Sequence, residues 1–211
     1  MSEIRYTLVS DGSSDRALLP ILTWLMHQHT AGCPIQPEWA DLRGLRQPIT
    51  TLAEKIRWSL LLYPCDILFI HRDAERQPRE DRVVEIEEAV RVAAPSASCP
   101  PLVCVVPVRM QEAWLLFDEA AVRRAAGNPR GRERLDLPAL ADVENLPNPK
   151  QILHDTLRTA SGLHGRRRLS LPVHRYVHRV ADLIEDYSPL RSLPAFRALE
   201  SDVQHLLISW R

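Results

Sequence analysis

Short apolar runs alternate with longer amphipathic stretches over the first two thirds of the chain, the pattern of βαβ units around a mostly parallel sheet. Residues 5–10 read as a first strand ended by Asp11-Gly12, where glycine permits a sharp turn, and Ser13 or Ser14 can cap a helix to about residue 29. Residues 37–42 form a weaker strand. Leu52, Ile56, Leu60 and Tyr63 recur at helical spacing over 50–63, and Pro64 stops that helix. Residues 66–71, Asp-Ile-Leu-Phe-Ile-His, carry the strongest strand pattern. The charged stretch 79–94 predicts a surface helix with Val83, Ile86 and Val90 as its buried stripe and Pro95 beyond its end. Residues 102–108 read as a buried strand, in which Pro107 is tolerable only where its missing N–H is not needed. Another helix begins over 110–118. After Gly127 the pattern weakens into a Pro/Arg-rich connection, 128–149, followed by helices near 150–160, 174–186 and 193–209. The expected architecture is an α/β, Rossmann-like core over residues 1–125, its mostly parallel central sheet flanked by helices. A C-terminal helical extension over 126–211 packs on the core or serves a partner.

Composition narrows this further. With 45% hydrophobic and 26% charged residues, the chain has the balance of a soluble globular protein rather than a disordered or fibrous one. No apolar run reaches the roughly 18 residues a membrane span needs, and no signal-peptide core precedes the first strand. A cytoplasmic protein without a membrane partner is expected. Cys33, Cys65, Cys99 and Cys104 form no CxxC pair and lie mostly in or beside apolar segments, so free, buried thiols are expected. A net charge of zero argues against a protein that coats nucleic acid generally, yet it hides an asymmetry. Residues 119–180 hold twelve Lys/Arg against six Asp/Glu, and the densest part is Arg166, Arg167 and Arg168 with Arg175 and Arg179. These arginines either track a nucleic-acid backbone or form a solvated or partner-docking patch.

Candidate chemistry gathers at the strand ends. In a parallel sheet, loops outside the C-terminal ends of the strands aim side chains into one crevice. The first strand runs into Asp11 and Asp15, the 66–71 strand into Asp73 and Glu75, and the 102–108 strand through Arg109 to Glu112. If the segment after residue 71 stays extended, Asp73 and Glu75 point the same way. Hard oxygen ligands of this kind suit Mg2+ or Mn2+, and carboxylates crowded together without a cation raise one another's pKa. Convergence of all five on one divalent-metal site is the expectation. Each also has a plainer reading: a turn for Asp11, a charge complementing the helix dipole for Asp15, a solvated loop for Asp73/Glu75, a helix cap for Glu112.

Asp11-Gly-Ser-Ser-Asp15 and Asp73-Ala-Glu75 resemble the two acidic motifs of the TOPRIM fold, shared by topoisomerases, primases and nucleases of the overcoming-lysogenization-defect class. Asp11 stands where that family usually has Glu, and Glu75 where it has Asp. Val106-Pro-Val-Arg-Met-Gln-Glu112-Ala-Trp-Leu-Leu-Phe-Asp118, followed by Asn148-Pro-Lys150, is similar to a narrower group of small bacterial TOPRIM-like proteins, often encoded beside an ATPase in loci suspected of phage defence. The resemblance covers roughly residues 5–153. It implies a TOPRIM core, Mg2+ or Mn2+, a nucleic-acid substrate, and an effector nuclease working with an ATPase through which it could oligomerise.

On that reading Asp11, Asp73 and Glu75 hold metal, Glu112 is a ligand or general base, and Asp15 stands behind them or serves a second ion. Lys150, one of only two lysines among 27 basic residues, stabilises the charge of the pentacovalent state, or is an exposed lysine at a helix start. The alternative is a catalytically degenerate TOPRIM subunit that scaffolds or regulates a partner ATPase. The seven glycines form no GxGxxG or P-loop arrangement, which argues against ATP hydrolysis by this chain alone. The pair His174/His178 lacks the adjoining glutamate of a zinc protease.

Overall fold

The computed structural model describes residues 3–46, 49–75, 77–94 and 99–209; Pro95, expected beyond a helix end, lies outside the described residues. The protein is α/β, with a four-stranded, all-parallel central sheet flanked by helices. Two compact units divide it, Met1–Val106 with Ala198–Arg211, and Pro107–Arg197. The change of character expected near residue 125 falls inside the second.

The first unit alternates β1 (Ile4–Val9), α1 (Leu18–His29), β2 (Ile35–Trp39), α2 (Leu52–Leu62), β3 (Ile67–His71), α3 (Arg79–Ala93) and β4 (Leu102–Val105). The strand order is β2-β1-β3-β4. Leu8 pairs with Trp39 on one side and Phe69 on the other, and His71 pairs with Val105. Strands covered on both faces need apolar residues at every position, which is why residues 67–71 carry so continuous a pattern. Tyr6 and Phe69 meet edge to face at 5.1 Å on the α1 side, where the Tyr6 hydroxyl donates to the Leu19 carbonyl at 2.9 Å. Val9, Leu68, Ile70 and Cys104 pack with Ile56 of α2 and Ile86 of α3 on the other side. Right-handed crossovers require this arrangement. The chain steps from β1 to β2, then returns past β1 to β3. Strand order therefore reverses between β1 and β3, and a crevice is expected at their C-terminal ends.

Several element bounds differ from the sequence reading. The predicted 13–29 helix opens as a 3-10 turn, Ser13–Ala17. β2 lies two residues earlier than 37–42, because pairing with β1 decides its register. β4 ends at Val105, ahead of Pro107. Over 110–118 there is only a 3-10 turn, Gln111–Leu115, buried at all five positions. Asp118 then caps a new helix by accepting the Ala121 N–H at 2.8 Å.

That helix, α4 (Glu119–Ala125), begins the helical part of the second unit, with α5 (Pro149–Ala160), the unexpected short α6 (Gly165–Leu169), α7 (Val173–Leu183) and the start of α8 (Pro194–Ser209). Its core includes Trp114, edge-on to Phe196 at 5.5 Å. Asn148 caps α5 by accepting the Gln151 N–H at 3.0 Å, and Pro149 supplies the preset first turn. From Ala198 onward α8 belongs to the first unit, where Glu200 meets His29 of α1 at 2.9 Å and Asp202 pairs with Arg79 of α3. Among the described residues no disulfide joins the four cysteines: Cys33 and Cys104 are buried, Cys65 and Cys99 half-buried. Among the described residues no helix is long and apolar enough to cross a membrane.

Candidate functional site

β1 runs into Ser10-Asp11-Gly12 and β3 into His71-Arg72-Asp73, so the two segments border the crevice where strand order reverses. His71 follows Phe69 by two residues, faces the α1 side and is 2% exposed. Its Nδ1 lies 3.0 Å from the Val105 carbonyl oxygen, which only accepts, so Nδ1 carries a proton. Its Nε2 lies 3.4 Å from Asp73 Oδ1. Burial pushes the imidazole's pKa down, but the Asp73 contact and the charges of Asp15 and Asp73 outweigh burial, and the net shift is upward. The carboxylates around His71 thus favour its protonated form, and His71 in turn helps to hold the Asp11 pKa low.

Asp11 already holds two cations: Lys55 Nζ at 2.8 Å and Arg72 Nη1 at 2.9 Å. Arg72 also reaches Glu85, at 3.0 Å. Partial burial raises the Asp11 pKa, but the Lys55 hydrogen bond and the charges of Lys55, Arg72 and His71 carry it below the usual value. Asp15 is buried; its carboxylate accepts the Gly12 N–H at 2.9 Å and the Ser14 hydroxyl at 3.1 Å, closing the turn that leads to α1. Gly12 itself is extended, with φ −140° and ψ 166°, so the turn does not depend on glycine's special freedom, contrary to expectation.

Asp73 and Glu75 do not point the same way as an extended segment would require. Ala74 is buried and Glu75 turns left-handed, with φ 58°. The Glu75 side chain is 70% exposed, and Arg82 lies 3.9 Å away. A left-handed residue breaks the two-residue alternation on which the shared direction rested. Glu112 and Lys150 belong to the second unit and face each other at 3.7 Å, Glu112 buried and Lys150 half-buried.

The chain has only two lysines, and each lies against a carboxylate expected to ligate metal: Lys55 against Asp11, Lys150 against Glu112. Sequence reasoning overlooked Lys55, although its rarity was a usable signal. His154, one turn beyond Lys150, is buried and edge-on to His174 at 4.9 Å, and among the described residues its Nε2 has no hydrogen-bond partner. Burial, then the charges of His174, Lys150 and Arg158, hold its pKa below the ordinary histidine value.

Arg166, Arg167 and Arg168 project from α6, which buries none of its residues; Arg168 donates to the Thr159 hydroxyl at 3.2 Å. Arg175 and Arg179 occupy the exposed face of α7, opposite buried Val173, Val177 and Val180, and Arg179 lies over the Tyr176 ring at 5.7 Å. Hard oxygen donors are available at the crevice from Asp11, Asp15 and Asp73, although among the described residues no three His, Cys, Asp or Glu side chains stand ready to hold an ion without rearrangement. Compared with family models, with curated proteins and with solved structures, the chain gives no match to any of them.

Proposed function

We propose that this chain hydrolyses phosphodiester bonds in nucleic acid, with Mg2+ or Mn2+, at the crevice between β1 and β3. The observation that supports this best is buried His71 at the reversal of strand order, 3.4 Å from Asp73 and within electrostatic reach of Asp11 and Asp15. The donor set fits a hard dication; Asp11 and Asp73 would hold it, with Asp15 behind them. Glu75 and Glu112 already face Arg82 and Lys150 and are left out of that set. A bound dication polarises the phosphoryl oxygen and lowers the pKa of an attacking water. The chain's own residues do the rest. Asp11 would hold the ion in exchange for Lys55 and Arg72, and these two cations would then be placed to face phosphate oxygens and stabilise the charge that builds during cleavage. His71, anchored on the Val105 carbonyl, keeps Asp73 in one orientation. The five exposed arginines of α6 and α7 take backbone phosphates. An ATPase encoded nearby is the proposed partner.

A second reading draws on the Asp11 pairings. A carboxylate neutralised by two built-in cations describes equally a subunit that has lost its metal and scaffolds the ATPase. The deciding experiment follows Mn2+ binding, and Mg2+- and Mn2+-dependent cleavage of single- and double-stranded DNA and RNA, by wild type and Asp73→Ala, with and without the ATPase. Hydrolysis predicts cleavage that EDTA and Asp73→Ala both abolish. A pair that assembles intact yet neither binds Mn2+ nor cleaves would favour the scaffold.

A further inference from the structure

A cavity of about 360 Å³ opens beside the crevice, and its lining includes Ser10, Asp11, Trp39, Leu42, Arg43 and Lys55. Its polar wall therefore shares two side chains with the proposed reaction site. Trp39 is the last residue of β2 and is only half-buried. Its indole Nε1 donates to the Ser10 hydroxyl at 3.0 Å, which fixes the ring. The Arg43 guanidinium lies 5.2 Å from that ring, and Asp41 holds it by hydrogen bonds at 2.7 and 2.5 Å. Two flat groups, each anchored by a neighbour, thus line a cavity of small-molecule size next to a carboxylate and a lysine. Neither belongs to the buried core, since Trp39 is half-buried and Arg43 is exposed.

Planar aromatic rings and guanidinium planes are the surfaces on which unpaired bases stack. We infer that this cavity takes the nucleobase adjoining the scissile phosphate, so that the substrate is unpaired at the point of cleavage. The placement of the base beside the cut rests on the proposed hydrolysis at Asp11. Lys55 connects the two sites: it contacts Asp11 and lines the cavity. A base inside a duplex is stacked on both faces and enters only after being flipped out, which selects for single strands, loops and ends.

The test uses the full chain in EDTA, so that binding is read without cleavage. Fluorescein-labelled single strands of mixed sequence, about 12 nucleotides long, the same strands annealed as blunt duplexes, and unlabelled nucleoside monophosphates serve as probes. Wild type should bind the single strand more tightly than the duplex. Trp39→Ala should weaken single-strand binding about tenfold and leave duplex binding unchanged, and Trp39→Phe should retain most of the affinity. Competition by monophosphate that disappears in Trp39→Ala supports the base pocket and identifies free nucleotides as an additional source of the base. Equal binding of the single strand by wild type and Trp39→Ala, or no single-strand binding by wild type, overturns the inference. The two proposals fail separately. Trp39-dependent binding without metal-dependent cleavage sinks the hydrolysis and keeps the base pocket. Asp73-dependent cleavage that is indifferent to Trp39 does the reverse.

Discussion

Lys55→Met perturbs the contact that most directly opposes metal binding. In the native arrangement Lys55 Nζ lies 2.8 Å from Asp11 Oδ1, with the two side chains 21% and 52% exposed. At that separation Coulomb attraction is roughly 1.5 kcal/mol in water, and pairs this accessible to solvent measure about 0.2–1 kcal/mol. A metal that recruits Asp11 must displace an interaction of about 1 kcal/mol, so Lys55→Met should tighten Mn2+ binding about fivefold at low ionic strength. Arg72, still 2.9 Å from the other oxygen, keeps the gain from being larger. Titration of free Mn2+ by electron paramagnetic resonance reads the affinity directly. Raising salt should shrink the difference, because the lysine of the wild type is screened. Acid titration should move with it: Lys55 helps to hold the Asp11 pKa low, so the variant should lose Mn2+ at higher pH than wild type. Cleavage should nevertheless fall, since Lys55 is also proposed to face the phosphate. Equal or weaker Mn2+ binding by Lys55→Met would refute the reasoning, for it would mean that Asp11 is not the carboxylate that exchanges lysine for metal.

Four other outcomes are expected. Glu75→Gly relieves a left-handed backbone and should stabilise the fold by about 0.5–1 kcal/mol, visible as a higher Tm by about 1–4 °C; a lower Tm would show that the Arg82 contact outweighs the backbone. Tyr6→Phe removes the hydroxyl bonded to the Leu19 carbonyl and Thr23 inside the sheet–α1 interface, and denaturant unfolding should report a destabilisation of about 1 kcal/mol, with an unchanged value counting against that bond. His154, facing His174, Lys150, Arg158 and Asp155, has a folded-state pKa below its unfolded value of about 6.5, so its contribution is complete above that pH and declines as pH falls. The stability of His154→Leu should therefore fall less than that of wild type between pH 7 and 5, and parallel curves would contradict this; His71, whose raised pKa acts in the opposite sense, is common to both proteins. Paired Arg166→Glu and Arg167→Glu should leave Tm unchanged, weaken nucleic-acid binding across sequences, and lower the salt slope by about 1 for each phosphate no longer neutralised; an unaltered slope would remove α6 from the interface.

What the sequence by itself determined about this protein was the order of its elements and the places where chemistry collects. The apolar run at 67–71, the alternation of strands with amphipathic helices, and the acidic residues after β1 and β3 were all legible, because burial on two faces and helical spacing leave periodic marks. The helix near 150–160 was legible for the same local reason. Only the tertiary structure decided what each carboxylate faces. Lys55 is 44 residues from Asp11, and Arg72 is 61 residues from it, so the pairs that neutralise Asp11 arise from strand pairing and helix placement alone. The same holds for Trp39, brought to Ser10 by the register of β2 against β1, and for His71, whose burial follows from facing α1. Glu75 shows the limit most directly, since one residue turning left-handed redirects a side chain that sequence spacing aimed at the site. Local periodicity records which face of an element is buried; direction and partner depend on contacts between residues far apart in the chain, and no local pattern encodes those.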